Sequence, residues 1–370
     1  MKYVGIIVVS LLYGLMNLYV GRRISNCIVS NTNSTIAIFI SIVMGLLTLS
    51  TLVTYGMPYN VGSIVGTLGS YWMGISLMLV VSFAGIGALG GILNRLNMAN
   101  ISKNNVTIIS LVIVVVITVY GVYNSSKVAL TSYDVNIGKY NKGESIKIIA
   151  ISDLHLGYIN NNKKLQESVN RINDINPDLV VILGDLFDSN FLAVQNNEET
   201  LEILNSIKST YGTYLCWGNH DAGSNFTQMK EFIMKSNIKV LEDEVIDIDD
   251  KVLLAGRLDS SPIGYQGEKT RATSLQIDKF NKEKPMIVLD HQPSNINEYI
   301  GKYDLMLSGH THKGQVYPLN YITQRIFRID YGYDIFEEDT HAIVTSGLGT
   351  WGPPIRIGTK SEIVEINFNY

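Results

Sequence analysis

Residues Ile146–His155 read "IKIIAISDLH", an apolar run broken only by Lys147 that stops abruptly at Ser152, an aspartate and a histidine. A run without polar alternation reads as a strand covered on both faces, the pattern of parallel sheets between layers. The same grammar recurs in "DLVVILGD" (178–185), "TYLCWGNHD" (213–221), "PMIVLDHQ" (285–292) and "DLMLSGHTH" (304–312). "VLLAGRLD" (252–259) and "HAIVTSG" (341–347) read as further strands, and "SYDVNI" (132–137) alternates like a half-exposed one. Helical patterns fall between them: "NKKLQESVNRINDIN" (162–176), stopped by Pro177, "EETLEILNSIKSTYG" (198–212) and "NFTQMKEFIMKSN" (225–237). Strands alternating with helices predict an α/β layered domain over residues 129–370.

Ahead of it the chain obeys other rules. Residues 1–125 carry no Asp or Glu, and their only charges are Lys2, Arg22, Arg23, Arg95 and Lys103. All 33 acids lie beyond, in a chain whose net charge is −4. A charge at the bilayer centre costs about 3 kcal/mol, so lipid selects such a composition. A helix crossing a bilayer needs ~20 apolar residues. Four runs qualify: Val4–Val20, Ile36–Tyr55, roughly Thr67–Ile92, and Val106–Tyr123. The first lacks a small-residue cleavage site and further runs follow it, so it reads as an anchor, not a cleaved leader. Four runs joined by short uncharged or basic loops favour a transmembrane region (1–125) over buried helices of a soluble domain. About five residues at ~3.3 Å each separate the last run from the first strand, which holds the α/β domain near the bilayer.

Polar clusters close five of the strand-like runs: Asp153 and His155; Gly184, Asp185 and Asp188; Asn219, His220 and Asp221; His291; His310 and His312. In open α/β sheets the carboxyl ends of strands face the ligand crevice. Residues i and i+2 of an extended segment point the same way, so Asp153 with His155, and His310 with His312, can each aim two ligands at one centre. A lone histidine at a strand end is usually structural, but five of the six histidines fall in these clusters. His341 stands outside and reads as a packing or surface residue. Imidazole, carboxylate and amide donors together suit Mn, Fe or Zn better than Ca. The donors are too many for one ion, whereas two ions about 3.5–4 Å apart would clamp the attacking and leaving oxygens of a phosphoryl transfer. Cys27 and Cys216 imply buried thiols and no disulfide framework. No basic patch with interleaved aromatics points to nucleic acid.

At these residues the sequence resembles the calcineurin-like metallophosphoesterase superfamily, through "DLH", "GDLFD", "GNHD", "LDHQP" and "SGHTHKGQ" in that order. The run "GLGTWGPPIRIGTKSEIVEI" (347–366) is similar to that of bacterial multi-pass membrane metallophosphoesterases. The resemblance implies a layered β-sandwich flanked by helices, behind a four-helix transmembrane region. It implies a metal-dependent phosphoric ester hydrolase of phosphodiesterase or pyrophosphatase type. Asp153, His155 and His312 would hold one metal, Asn219, His291 and His310 the other, and Asp185 would bridge them. His220 would stabilise the phosphate or protonate the leaving oxygen. A metal-bridging hydroxide would attack phosphorus in line.

Two departures matter. Serine/threonine phosphatases of the superfamily read "GDxxDRG", whereas Ser189-Asn190 follows Asp188 here. Membrane relatives usually read "GHTHGGQ", and Lys313 replaces the first glycine of that pair. A left-handed backbone there would cost Lys roughly 1 kcal/mol. Lys313 either faces the pocket as a cation for phosphate or is solvated. Arg257 and Arg356 are weaker candidates for a phosphate clamp, since guanidinium forks match phosphate oxygens.

Four spans place both ends of the transmembrane region on one side. Arg22, Arg23, Arg95 and Lys103 flank loops one and three, while the middle loop "GMPYN" is uncharged. The positive-inside rule then predicts a multi-pass protein of the cell membrane with its catalytic domain outside the cytoplasm. A domain held against lipid favours a lipid-linked or envelope phosphoester. Two other readings stay open: a phosphodiesterase acting on soluble nucleotides, and a membrane sensor or scaffold that binds a phosphorylated ligand without turnover.

Overall fold

The computed structural model describes residues 2–28, 34–54, 57–140, 142–223, 225–263, 269–275 and 283–370. It divides into two compact units. One comprises residues 1–57, 61–123 and 352–355; the other comprises 58–60, 124–351 and 356–370.

The first unit is helical: α1 (Lys2–Ile28), α2 (Ser34–Val53), α3 (Tyr59–Arg95) and most of α4 (Lys103–Ser126). Three helices among the described residues are long and apolar enough to cross a membrane: Ile7–Ile28, Tyr59–Arg95 and Lys103–Ser126. The second run appears as a shorter apolar helix, Thr35–Thr51, and Tyr55 lies outside the described residues. The full extent of that helix as α2, Ser34–Val53, is 20 residues, which at 1.5 Å per residue rises about 30 Å. The first helix outruns the expected Val20 boundary and carries Arg22 and Arg23 within its last turns. There Arg23 Nε donates to Thr107 Oγ1 (3.2 Å), with its guanidinium 5.0 Å from the Phe83 ring centroid. A small core of Val20, Ile24, Trp72, Leu79, Phe83 and Val114 holds the unit. α3 buries Gly62, Gly66, Gly69 and Gly74, the small-residue device by which helices approach closely in lipid. Ile64, Leu46, Leu11 and Val119 point outward and exposed.

The second unit is a two-sheet sandwich. Its strands are β1 (Val128–Asn136), β2 (Ser145–Ile151), β3 (Leu179–Leu183), β4 (Thr213–Cys216), β5 (Ile238–Val240), β6 (Glu244–Ile248), β7 (Val252–Gly256), β8 (Met286–Leu289), β9 (Leu305–Ser308), β10 (Gly332–Phe336), β11 (Thr340–Val344) and β12 (Ser361–Asn369). One sheet runs β1-β12-β2-β3-β4-β5, the other β10-β11-β9-β8-β7-β6. The catalytically suggestive strands β2, β3 and β4 pair in parallel, as do β7, β8, β9 and β11.

Side chains alternate across each strand and so serve two cores. Ile146, Ile148 and Ala150 of β2 face the second sheet, meeting Leu254, Ile287 and Leu305. Ile149 and Ile151 face the other way, onto α5 (Asn162–Ile175), α6 (Asn197–Asn205) and α7 (Phe226–Ile233) through Leu165, Val169, Ile203, Met229 and Phe232. Burial on both faces explains why these strands lack polar alternation. α6 stops at Asn205, earlier than the pattern to Gly212 predicts, because residues 206–212 turn back to enter β4. The C-terminal strand β12 lies between β1 and β2 in the first sheet.

Candidate active site

Five loops leave the carboxyl ends of β2, β3, β4, β8 and β9, which end at Ile151, Leu183, Cys216, Leu289 and Ser308. Asp153, Asp185, Asn219, His291 and His310 follow those ends by two or three residues. Asp153, His155 and His312 each present a donor atom within 4.8 Å of the others. His312 Nε2 lies 3.3 Å from Asp153 Oδ1 and 3.1 Å from His155 Nε2. Asp185, His291 and His310 form a second such group. His291 Nε2 lies 3.2 Å from Asp185 Oδ2, 3.3 Å from His310 Nδ1 and 3.1 Å from Asn219 Oδ1. Asp185 Oδ2 also lies 3.7 Å from His155 Nε2, so one carboxylate faces both groups.

The extended i, i+2 geometry expected for the paired ligands is corrected here. The pairs sit past their strands, in left-handed backbone: Asp153 (φ 53°), His155 (45°), Asp185 (51°), His310 (72°) and His312 (48°). His310 and His312 therefore part, one to each group. Each such residue costs roughly 1 kcal/mol, and that strain persists only where the surroundings over-determine it. They do so here. Asp153 N–H donates to Gly184 O and His155 N–H to Asp185 O, both at 3.0 Å; Gly349 N–H donates to Asp153 O at 2.8 Å. His310 N–H reaches the Asp153 carboxylate at 3.1 Å, and His220 N–H reaches Asp185 Oδ1 at 2.7 Å. Gly184 shows how tight the junction is: its φ is +77°, and a Cβ there would come within 2.6 Å of His291 Nδ1.

The donor set fits cations. The Leu183 carbonyl can only accept, so His291 Nδ1–H donates to it at 2.7 Å. In the neutral ring that leaves the Nε2 lone pair aimed at the oxygens of Asn219 and Asp185. Acceptors converging at this range repel unless positive charge sits among them. Burial disfavours ionised Asp185, yet His291 and His155 hold its carboxyl well below the usual range. Burial likewise disfavours charged His291, yet Asp185 and Asp153 lift its imidazole well above the ordinary value, so with no cation among these groups the ring itself carries the positive charge, and a bound cation would take that proton's place. Burial pushes His312 down to about 3, against the pull of Asp153, which keeps its ring neutral as a ligand must be.

His220 is half-buried and differently placed. Its Nδ1 lies 2.7 Å from Ser189 Oγ and 3.6 Å from Asp188 Oδ1, and its ring stands edge-on 4.9 Å from that of His155. His155, Asp188 and His220 also meet the distance criterion for a metal trio. Ser189 already occupies His220 Nδ1, so this trio reads as a hydrogen-bonded group. Burial lowers the His220 imidazole pKa, with Asp185 opposing.

A family model described as calcineurin-like phosphoesterase matches residues 146–314, the span of all these loops. An uncharacterized metallophosphoesterase of Aquifex aeolicus is 32% identical over 63% of this chain and 88% of its own length. The chain belongs to the calcineurin-like metallophosphoesterases. Another uncharacterized metallophosphoesterase, from Campylobacter jejuni, is 33% identical over 64% of this chain and 62% of its own. A "transmembrane protein with metallophosphoesterase domain" of Danio rerio is 32% identical over 60% of this chain and 52% of its own. The match thus spans less than two thirds of the Campylobacter and Danio relatives.

Several residues that shape this metallophosphoesterase site have roles that the sequence alone does not assign. Asp221 is buried and takes Phe187 N–H at 2.8 Å, Gly218 N–H at 3.1 Å and Leu186 N–H at 3.2 Å, tying the β3 and β4 loops together. Burial, with Asp185 adding to it, raises its carboxyl to about 7. Its place in "GNHD" was the available signal. Gln315 pins Trp351 through two 2.9 Å bonds, a non-local pairing invisible to pattern.

Neither arginine is left as a phosphate clamp. Arg356 is fully buried, its Nη2 donating to Ser346 O and Gly349 O at 2.7 Å and abutting His312 Nδ1 at 3.3 Å. Arg257, also buried, donates to Ala272 O at 2.7 Å and pairs with Asp243 at 3.3 Å. Buried guanidinium demands such partners, which removes it from substrate. His341 is buried against Tyr333 OH at 2.6 Å, a packing residue.

Lys313 is in the left-handed region (φ 51°), with Nζ 3.8 Å from the Tyr331 ring centroid. The ammonium is thus engaged by an aromatic face, worth about 0.5–1 kcal/mol. Lys313→Gly relieves the backbone while Lys313→Ala does not, and both lose the ring contact. The Gly variant is expected to be about 1 kcal/mol more stable than the Ala variant, read as a higher midpoint in thermal unfolding of the full chain.

Proposed function

We propose that this chain is a membrane-anchored phosphoesterase working with two divalent ions of the Mn, Fe or Zn type. Asp153, His155 and His312 hold one, Asn219, His291 and His310 the other, and Asp185 serves both. The observation that carries the reading is the Asp185 carboxylate standing 3.2 Å from His291 and 3.7 Å from His155. Bound ions supply charge neutralisation at the phosphoryl oxygens and a water of lowered pKa. The chain's part is to fix the donors on strained, over-determined turns. Asp221 locks the two loops that carry Asp185 and Asn219. His220, its Nδ1 held by Ser189, offers Nε2 to a phosphoryl or leaving-group oxygen, as stabiliser or proton donor.

The catalytic domain extends over residues 129–370, behind four spans that include the shorter second helix, and faces away from the cytoplasm. Only one residue, Lys127, separates α4 from β1, which supports a substrate at the membrane such as a lipid-linked pyrophosphate. Full chain in detergent with Mn is expected to hydrolyse a chromogenic phosphodiester. Metal uptake without turnover of diesters, monoesters or lipid pyrophosphates would instead support the sensor reading. For orientation, protease added to intact cells is expected to cleave the catalytic domain. Cleavage confined to permeabilised cells reverses the placement.

A further inference from the structure

Beside the site lies an apolar rim with inverted polarity. The short helix α8 (Asn320–Ile326) buries none of its side chains. Its half-buried positions are polar, while Gln324 and Arg325 are exposed: Thr323 Oγ1 donates to Asp330 Oδ2 at 2.7 Å, and Asn320 is half-buried. Its apolar side turns out, with Leu319, Tyr321, Ile322 and Ile326 exposed, Ile326 by 67%. Exposed Tyr317 packs its ring 5.6 Å from that of Tyr321. A helix on a soluble domain ordinarily shows the reverse arrangement.

Trp351 extends the rim, its side chain 52% exposed and its backbone held by Gln315. The rim reaches the site at two points: the Phe327 ring is 6.0 Å from that of His310, and the Trp351 ring 6.0 Å from that of His220. Charge singles out the same segment. Residues 313–328 contain Lys313, Arg325 and Arg328 but no Asp or Glu, in the part of the chain that holds all 33 acids. Arg328 pairs with Glu337 at 3.1 Å, while Arg325 is exposed and bonds only the Tyr321 carbonyl of its own helix among the described contacts.

We infer that this rim docks on the lipid–water interface of the bilayer. Leu319, Ile322 and Ile326 enter the acyl boundary, Tyr317, Tyr321 and Trp351 sit at headgroup depth, and Arg325 meets anionic headgroups. Apolar side chains, amphipathic aromatics and an exposed cation together are the chemistry of an interfacial surface. The carboxylates beside the rim, Asp330 and Glu337, are engaged by Thr323 and Arg328, and a protein partner would not require Arg325 beside exposed aromatics. The same chain carries helices able to cross a membrane. The docked rim brings His220 and His310 to a phosphoester held in the interface; that clause rests on the proposed function, and the docking does not.

The test uses the full chain with Cys27→Ser in lipid nanodiscs, where Cys216 is buried and unreactive. Ile326→Cys carries an environment-sensitive fluorophore, and spin-labelled lipids quench it. Met234→Cys, exposed at the end of α7 outside the rim, is the reference. At least twofold stronger quenching at 326 is expected; equal quenching overturns the docking. In a second arm, Ile322→Asp with Ile326→Asp is expected to lower the ratio of turnover on a bilayer-embedded phosphodiester to that on a water-soluble one about tenfold. An unchanged ratio also overturns it. Wild type inactive on both substrates sinks the phosphoesterase reading instead, and the quenching still decides the docking.

Discussion

Asp185→Asn is expected to lower kcat/KM by about 10³-fold, because a metal's transition-state stabilisation is worth several kcal/mol and each 1.36 kcal/mol is tenfold. Asn keeps the shape of the side chain and the Oδ1 acceptor that takes His220 N–H at 2.7 Å, so the fold is retained. The negative charge facing both donor groups is gone. Metal analysis of the purified variant is expected to find fewer ions per chain than in wild type. Turnover near the wild-type level with full metal content would remove Asp185 from the position given to it. The effect should exceed that of losing a side chain that faces one group, such as His310, because the Asp185 carboxylate stands within 4 Å of both His291 and His155.

His220→Ala should act differently. It is expected to lower kcat by about 10²–10⁴-fold, the usual contribution of a positioned proton donor, with metal content unchanged. The loss should be smaller for a nitrophenyl ester, whose leaving oxygen hardly needs a proton, than for an alkyl ester. Stopped assays on the two esters give that ratio. An equal loss on both would assign His220 to holding the phosphate alone.

How much of this was legible in the chain follows from what each residue answers to. Strands such as Leu179–Leu183 are buried on both faces, and their unbroken apolar runs announce that directly. The order of the polar clusters also exposed the candidate ligands, since they sit two to four residues past a strand end. What the sequence did not carry was geometry set by distant partners. Spacing alone let His310 and His312 share a centre, whereas the family resemblance already divided them; the left-handed turns pinned by Asp153 and the 345–349 loop are what separate them. Arg356 looked like a clamp because no sequence pattern shows that carbonyls seven to ten residues earlier in the chain fold back on it; burial among Ser346, Gly347 and Gly349 decides that. Arg22 and Arg23 looked like loop residues because charge usually ends a span, yet Thr107 and Phe83 receive Arg23 within the helical unit. The outward-facing α8 was missed because its apolar residues read as core, and only exposure reveals their inversion.

Two ions in the facing groups are what turnover is expected to require. Full chain stripped with a chelator and titrated with Mn, with bound metal and phosphodiester hydrolysis measured on the same samples, tests this most directly. The expected result is no activity after stripping and full activity only as bound metal reaches two per chain. Hydrolysis that survives stripping, or saturates with a single ion bound, would contradict it.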